Sequence, residues 1–410
     1  MKQRNEIKYP VNHMQKEKMS KGKIIKIVLL SLLLTIILAG CFFAMYTIMY
    51  KPSVGLGKTN IIPGPNSDKN SDKSGKNDTP VISPSDDPLS LRKKDFYTFL
   101  ILGRDTVGLN TDIVMLASFD VGNGGISIMQ IPRDTYVEID NYPHKINAVY
   151  SIMHKRAYNN GEKDTEEAGM RQMMDLLEED MNICIDNYAL VNLAGFRNII
   201  DIIGGVPMYV PYNMFYEDPE QNLYINLKRG QQILNGSKAE QFVRFRENYV
   251  QGDIGRIDAQ KLFLTATIEQ LKKNINVTTI TGLISEMIKN VKTSLSVSDL
   301  IYFAKEFYLT EDANINFVTF PGTDVRSEVT TGAWYYVMHR ADMLTIINKY
   351  FNVYKNDITD SMFDRKLAFT NESKAHISKI YNALPSDDLT DYVNSAENIV
   401  DDGIDIPLLH

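Results

Sequence analysis

From Ile27 to Tyr50 the chain reads IVLLSLLLTIILAGCFFAMYTIMY and carries no charged residue. As a helix this run is roughly 36 Å long, enough to cross a hydrocarbon core of about 30 Å. It is too long for the apolar core of a cleaved signal peptide, which has about 7–15 residues. Leu38-Ala39-Gly40-Cys41 looks like a lipoprotein box, but Phe42, Phe43, Met45 and Tyr46 continue the apolar run where a polar tether would begin. Lys2, Arg4, Lys8, Lys16, Lys18, Lys21, Lys23 and Lys26 precede it, against Glu6 and Glu17 alone. The positive-inside rule then predicts a single-pass protein of the cell membrane, with residues 1–26 a basic cytoplasmic tail, residues 27–50 the transmembrane helix, and everything after Lys51 extracellular.

Residues 51–94 change character, with SDKNSDKSGKNDTPVISPSDDP at their centre. Such a stretch has too little apolar surface to offset the entropy of ordering, so the expectation is a disordered extracellular linker. Ser90-Leu91-Arg92-Lys93 fits the S-x-x-K of penicillin-binding enzymes and Lys73-Ser74-Gly75 approximates their K-T-G. A nucleophilic serine needs a rigid framework, so both are discounted in a flexible, polar segment.

Taken whole, the 410 residues have the composition of a folded protein, 44% hydrophobic and 23% charged. A net charge of −7 argues against a nucleic-acid coat, because phosphate binding needs clustered Lys and Arg. Two cysteines, Cys41 and Cys184, with no CxxC spacing exclude a disulfide framework and a structural zinc site. Cys184 reads as a small packed hydrophobe.

Apolar runs of strand length begin at Phe96: FYTFLIL to Leu102, IVMLASFD from Ile113, and ISIMQI from Ile126. The last two are joined by the hairpin-like Val-Gly-Asn-Gly-Gly. Leu193, Phe196, Ile199, Ile200 and Ile203 recur at helical spacing and stop at Gly204-Gly205, and a further helix is expected from about Ile254 to Lys273. Residues 276–352 read as helices and one strand, with a capping box at Ser296 and Asp299, a strand at Ile315–Phe320 and a last helix marked by Met343, Leu344, Ile346, Ile347 and Tyr350. Strands alternating with helices predict an α/β fold, a three-layer α/β/α domain with a central mixed sheet over residues 95–354. Residues 355–410 form an acidic tail whose role is not readable.

Charged residues cluster where strands end. Asp105 follows FLILGR and Asp112 precedes IVMLASFD, so two carboxylates at facing strand ends can share a divalent cation with substrate phosphate oxygens. Two acids in turns are also ordinary. Arg133-Asp134 ends ISIMQIP. Val243-Arg244-Phe245-Arg246 alternates as a strand would, placing both guanidinium forks on one side and Val243 with Phe245 toward the core. Asp253, Arg256 and Gln260 fall on one helical face, apart from a stripe of Ile257, Leu264, Ile268 and Leu271 that can bury. Arginines gathered in an acidic chain call for an anion or for an internal salt-bridge network, and spacing leaves both open.

Taken in order and spacing, LILGRDTVGLNTDIVMLASFD, IPRDTYVEI, HKINAVY, LVNLAGFRNIIDIIGGVPM, LKRGQQILNGSKAEQFVRFRE and GDIGRIDAQKLFLTATI resemble the LytR-CpsA-Psr family of bacterial envelope enzymes, with a motif core at about residues 95–275. The resemblance implies a membrane-anchored phosphotransferase of α/β/α fold. Its substrate would be an anionic glycopolymer, of teichoic-acid or capsular type, carried on undecaprenyl pyrophosphate, and its acceptor a peptidoglycan sugar hydroxyl. It implies further that Asp105 and Asp112 hold magnesium, with manganese as an alternative. Arg133, Arg244, Arg246 and Arg256 would bind the pyrophosphate, with Asp253 and Gln260 orienting them, while Arg104, Asp134 and Lys145 make weaker substrate contacts. The chain departs from many relatives in having the compact TVGLNT between the two aspartates, where the basic contribution could come only from Arg104.

Two other readings remain open at this point. A lipid-pyrophosphate hydrolase would use the same site with water as acceptor. A regulator or transcriptional attenuator is disfavoured as a direct DNA binder, because the expected cytoplasmic part is about 26 residues without a recognisable fold. No H-E-x-x-H spacing and no Walker-type loop is present.

Overall fold

The computed structural model describes residues 49–55, 91–104, 109–219, 223–245, 253–310, 314–327, 332–362, 377, 379–381 and 393–395, with backbone only at 253–258, 314 and 393–395. The expected membrane span lies, except for Met49 and Tyr50, outside them. Among the described residues no helix is long and apolar enough to cross a membrane. The elements of the fold all belong to the unit that begins at Pro52.

Three antiparallel strands, β1 (Phe96–Arg104), β2 (Thr111–Asp120) and β3 (Gly125–Ile131), begin the fold, and the hairpin of β4 (Tyr136–Ile139) with β5 (Tyr142–Lys145) comes next. Helices α1 (Ile146–Asn159) and α2 (Thr165–Met181) lead to β6 (Asn187–Asn192) and α3 (Leu193–Ile202). A smaller lobe pairs β7 (Val206–Val210) with β10 (Gly230–Leu234), and β8 (Met214–Asp218) with β9 (Leu223–Leu227). Helix α4 (Gly236–Arg244) returns to the main body, where α5 (Asp253–Asn274), α6 (Val277–Asn290), β11 (Val291–Thr293), α7 (Val297–Leu309) and β12 (Asn314–Thr319) are found. The hairpin of β13 (Gly322–Arg326) with β14 (Trp334–Met338), then α8 (Arg340–Ile346) with a π-helical turn at Ile347–Phe351, and β15 (Val393–Ser395) complete it.

The main sheet runs β11-β6-β1-β2-β3-β12-β15 and is mixed: β1/β6 and β3/β12 are parallel, the other pairs antiparallel. Strand alternation sorts its side chains onto two faces. Leu100, Leu102, Val114, Leu116, Met129, Ile131 and Val318 point into a core closed by Val149, Tyr150, Met170, Met173, Met343 and Ile346 from α1, α2 and α8. Their neighbours Phe99, Ile101, Met115, Ala117, Ile126, Ile128 and Phe317 meet Leu264 and Ile268 of α5 on the opposite face. That is the expected α/β/α layering around a mixed sheet. Helix α5 also gives Ala259 and Phe263 to the core of the smaller lobe, so it is wedged between two apolar surfaces rather than buried on one stripe.

Four expectations need correction. Val243 and Arg244 lie on a helix, not a strand: Asn235 caps α4 through a bond from Lys238 N, Ala239 and Phe242 are buried at a spacing of three, and Phe245 is its C-cap. Four alternating residues are too few to distinguish a strand from a helix end. Residues 276–352 hold β11, β13 and β14 as well as the strand at 314–319, three of them short enough to lack a pattern of their own.

The linker is docked at its described ends. Arg92 is 3% exposed and donates to Asp186 at 2.9 Å, Gly55 N donates to the other oxygen of Asp186 at 3.0 Å, and Lys93 N donates to Val353 O. A fully buried carboxylate requires such donors, and no local sequence pattern announces a partner so distant along the chain. The C-terminal stretch likewise joins the fold. Ile358, Ile377 and Tyr381 enter the main core, and β15 pairs with β12, although apolar residues so sparse show no periodicity. Cys184 is buried as expected, accepting from Arg92 Nη1 at 3.3 Å, and burial pushes its thiol up to about 12.

Candidate active site

The site forms at the end of the sheet where β1 stops and β2 begins. Gly103 pairs with Ile113 but Arg104 pairs with Thr111, so Asp112 is the extra residue of a β-bulge. Bulges release a side chain from the strict alternation of the strand and re-aim it. The Asp112 carboxylate, 37% exposed, lies 3.9 Å from Arg133 Nη1.

Arg133 stands just past the end of β3, in a turn held by Thr135 N donating to Pro132 O and by Asn147 N donating to Arg133 O. Its Nε is 3.7 Å from Asp134 Oδ2, and Asp134 Oδ1 accepts from Lys145 Nζ at 2.7 Å. Asp112, Arg133, Asp134 and Lys145 therefore form a chain of alternating charge across three strand ends. Each member is between a quarter and two-fifths exposed, so the network is open to an entering ligand.

Beside this chain opens a cavity of about 380 Å³ between the sheet and helices α3 and α5. Ile101, Met115, Ile128, Phe196, Leu264 and Phe317 wall it, and Arg104, Asp112, Arg244 and Gln260 are among its polar lining. Arg244 is the last residue of α4, where Glu240 one turn earlier accepts from it at 3.0 Å and from Arg197 of α3 at 2.9 Å. Gln260 accepts from Gln130 Nε2 at 2.7 Å and donates to Val243 O at 3.1 Å, tying α5 to β3 and to the end of α4. Arg104 is paired with Glu166 of α2 at 2.7 Å.

The structure thus brings Arg104, Asp112, Arg244 and Gln260 to one cavity and joins Arg133, Asp134 and Lys145 to it through Asp112. Asp105 and Arg246 lie outside the described residues. Of Asp253 and Arg256 the backbone alone is described, at the start of α5, on the helix that carries Gln260.

Lys261, Gln130 and Glu240 are not singled out by sequence reasoning. Lys261 lines the cavity at 6% exposure and donates to Thr319 Oγ1 at 3.0 Å, yet a lysine inside a helical segment reads as a solvated residue. Gln130 does carry a signal, as a lone amide within an apolar strand. Glu240 has only its spacing of four from Arg244.

At the strand end the described oxygen donor is the Asp112 carboxylate, a ligand type that hard divalent cations accept. The sequence attaches Asp105 directly after β1, and magnesium is characteristically held by one or two carboxylates completed by substrate oxygens and water. Among the described residues no group of three His, Cys, Asp or Glu side chains is placed to hold a metal.

Residues 62–352 match the model of the LytR_cpsA_psr family. The chain is similar to the polyisoprenyl-teichoic acid--peptidoglycan teichoic acid transferase TagV of Bacillus subtilis, 25% identical over 243 residues, covering 57% of this chain and 58% of that protein. It is also similar to the transferase TagU of Bacillus cereus, 26% identical over 272 residues, covering 65% of this chain and 82% of that protein. Among solved structures it resembles a transcriptional regulator from Enterococcus faecalis with a TM-score of 0.51 at 18% identity, covering 62% of this chain and 86% of that one. That last likeness is one of fold alone.

Proposed function

This chain belongs to the LytR_cpsA_psr family, and from that premise we propose that it is a membrane-anchored extracellular transferase. It moves an anionic glycopolymer, of teichoic-acid or capsular type, from undecaprenyl pyrophosphate to a peptidoglycan sugar hydroxyl. The observation that carries this reading is the junction of opposites at one sheet end: an apolar cavity with arginines and a bulge-presented aspartate at its lining. A lipid diphosphate has the same two halves. Anchorage through residues 27–50 would keep such a site at the membrane surface where the donor resides.

In this reading the prenyl tail lies against Ile101, Met115, Phe196 and Leu264, and its burial supplies binding energy that positions the diphosphate. Arg244 is held by Glu240 and Arg133 by Asp112 and Asp134, so both guanidinium groups are oriented before substrate arrives. Such preorganised charge is worth most where charge develops. When a divalent cation is held by Asp112 with Asp105, it adds neutralisation of the diphosphate oxygens.

The acceptor oxygen forms a bond to the phosphorus that carries the glycopolymer, and the bond from that phosphorus to the bridging oxygen breaks. Undecaprenyl phosphate leaves with the electron pair, its new charge facing the arginines. The hydroxyl proton passes to a carboxylate at the same mouth, for which Asp134 is the described candidate.

The test incubates the full chain in detergent with magnesium, a lipid-pyrophosphate glycan and peptidoglycan oligomers, and looks for the covalent conjugate by mass. A conjugate with a phosphodiester link is expected. Free glycan phosphate in its place would make the protein a hydrolase, and no turnover with retained donor binding would make it a carrier.

A further inference from the structure

A second concave surface lies on the smaller lobe, away from the apolar cavity, between α4, β9 and β10. It has a volume of about 480 Å³ and is lined by Lys228, Arg229 and Lys238 together with Tyr224, Asn226 and Gln241. Strand β9 builds it by simple alternation: Leu223, Ile225 and Leu227 face the lobe's core, which leaves Tyr224 and Asn226 outward.

The charges here are unusual for an acidic protein. Among the described residues no carboxylate contacts any of the three cations. Arg229 Nε donates to Tyr209 OH at 3.0 Å, Lys238 Nζ donates to Gln232 Oε1 at 3.1 Å, and the Lys228 side chain makes no hydrogen bond or ion pair with them. The nearby Glu217 sits on β8 opposite Tyr224. Three uncompensated cations within one concavity repel one another unless an anion joins them. The uncharged members, a tyrosine ring and side-chain amides, are the groups that pack against and hydrogen-bond to sugars and polyols.

One helix, α4, links the groove to the candidate active site. Gln241 lines the groove and Arg244 lines the apolar cavity, and residues three apart are neighbours on a helix surface. Lys238 lies roughly 9 Å from Arg244 along the axis of α4. A polymer whose terminal diphosphate rested at Arg244 would run past Gln241 to the cations.

We propose that this groove binds the phosphate-bearing backbone of the glycopolymer itself, beyond the diphosphate. The proposal rests on the transferase reading. It gives the protein a means of favouring long, anionic chains over neutral or very short ones, through contacts that touch neither lipid nor reacting phosphorus.

The experiment titrates the full chain in detergent with lipid-free poly(glycerol phosphate), neutral dextran and soluble muropeptides, following binding by calorimetry. The anionic polymer should bind, dextran should not, and raising the salt from about 0.05 to 0.5 M should weaken the binding. Lys228→Glu with Lys238→Glu should weaken it by about tenfold or more, the thermal melt staying at the wild-type temperature. Equal binding by the double variant and the wild type overturns the proposal, as does equal binding of dextran, or muropeptide binding that alone responds to the substitutions. Failure here and failure of the transferase reading separate cleanly. Conjugate formation with polymer binding untouched by the substitutions removes the groove and keeps the enzyme. Substitution-sensitive polymer binding without any conjugate removes the enzyme and keeps the groove.

Discussion

Asp112 Oδ1 faces Arg133 Nη1 at 3.9 Å across the end of the sheet, where a bulge opposite Gly103 and Arg104 makes the β1/β2 register skip Asp112. The carboxylate is thus presented without contributing to a core. Asp112→Asn should leave the melting temperature within a degree or two of wild type while lowering conjugate formation by about 10²–10³-fold, the scale seen when one electrostatic contact to a transition state is lost. Single-turnover rates with lipid-pyrophosphate donor give the measurement, and a variant with near-normal rate would remove Asp112 from the site.

Glu240 accepts from both Arg197 and Arg244, so it orients Arg244 without touching substrate in the proposed geometry. Glu240→Gln keeps the shape and removes the charge that fixes the guanidinium. We expect KM for the donor to rise by about five- to tenfold with a smaller change in kcat, because a less ordered arginine weakens binding before chemistry. An unchanged KM would mean that Arg244 needs no anchor.

Legibility from sequence differs by element, for physical reasons. Strands β1 to β3 are buried on both faces, so they appear as near-continuous apolar runs; Arg133 follows the end of β3 as read, whereas Asp112 lies inside β2 as a bulge residue rather than before it. The Ser296–Asp299 capping box is local chemistry and is present as read. Arg244 does line the cavity but on a different element from the one expected, since Val243-Arg244-Phe245 alternates in a way that a helix end also permits. Arg92, Lys261 and Tyr381 are invisible because their burial depends on partners far away in the chain: Asp186, Thr319 and the main core. Hydrophobic periodicity reports which residues share a face, and it is silent about a charged residue whose partner arrives from another element.

The apolar cavity makes its own prediction. Leu264 projects from α5 into it, so Leu264→Trp fills space without adding charge. Donors with long prenyl tails should bind at least about tenfold more weakly, while a donor analogue with a short tail should be affected much less, since a buried methylene contributes about 0.8 kcal/mol. Equal losses for long and short tails would place the lipid elsewhere.

A charge pair on the outer surface yields a pH dependence of known sign. Asp164 caps α2 by accepting from Glu167 N at 2.9 Å, and a hydrogen bond from Lys292, followed by that capping bond, holds its carboxyl below the usual carboxylate range. A depressed native pKa contributes stability that is present above the unfolded value of about 3.9 and is lost as pH falls through the native one. Asp164→Asn keeps a capping side chain but lacks the titration. Urea midpoints of wild type and variant should therefore differ at pH 7 and converge by about pH 2. A gap that persisted at low pH would assign the effect to packing.

Arg92 and Asp186 carry the opposite sign. The Asp186 side chain is fully buried, and burial pushes its carboxyl upward even with Arg92 beside it, Thr98 N donating at 3.0 Å and Gly55 N at 3.0 Å. Arg92→Met removes the cation that pairs with Asp186 among the described residues and leaves a buried carboxylate without that charge, a loss of about 3–5 kcal/mol at neutral pH. The native pKa of Asp186 then rises further above its unfolded value. Protonation restores stability, so the variant should gain as pH falls from about 8 toward 5. Adding Asp186→Asn should recover much of the loss and abolish that pH response. Cys184 provides an independent readout at the same place, since its thiol is buried against Arg92 and pushed up to about 12. Alkylation at about pH 8 should be negligible in the wild type and should accelerate in Arg92→Met in proportion to its opening. Fast labelling of the native wild type, or an Arg92→Met variant that loses stability on acidification, would show that this pair does not hold the ends of the linker to the sheet.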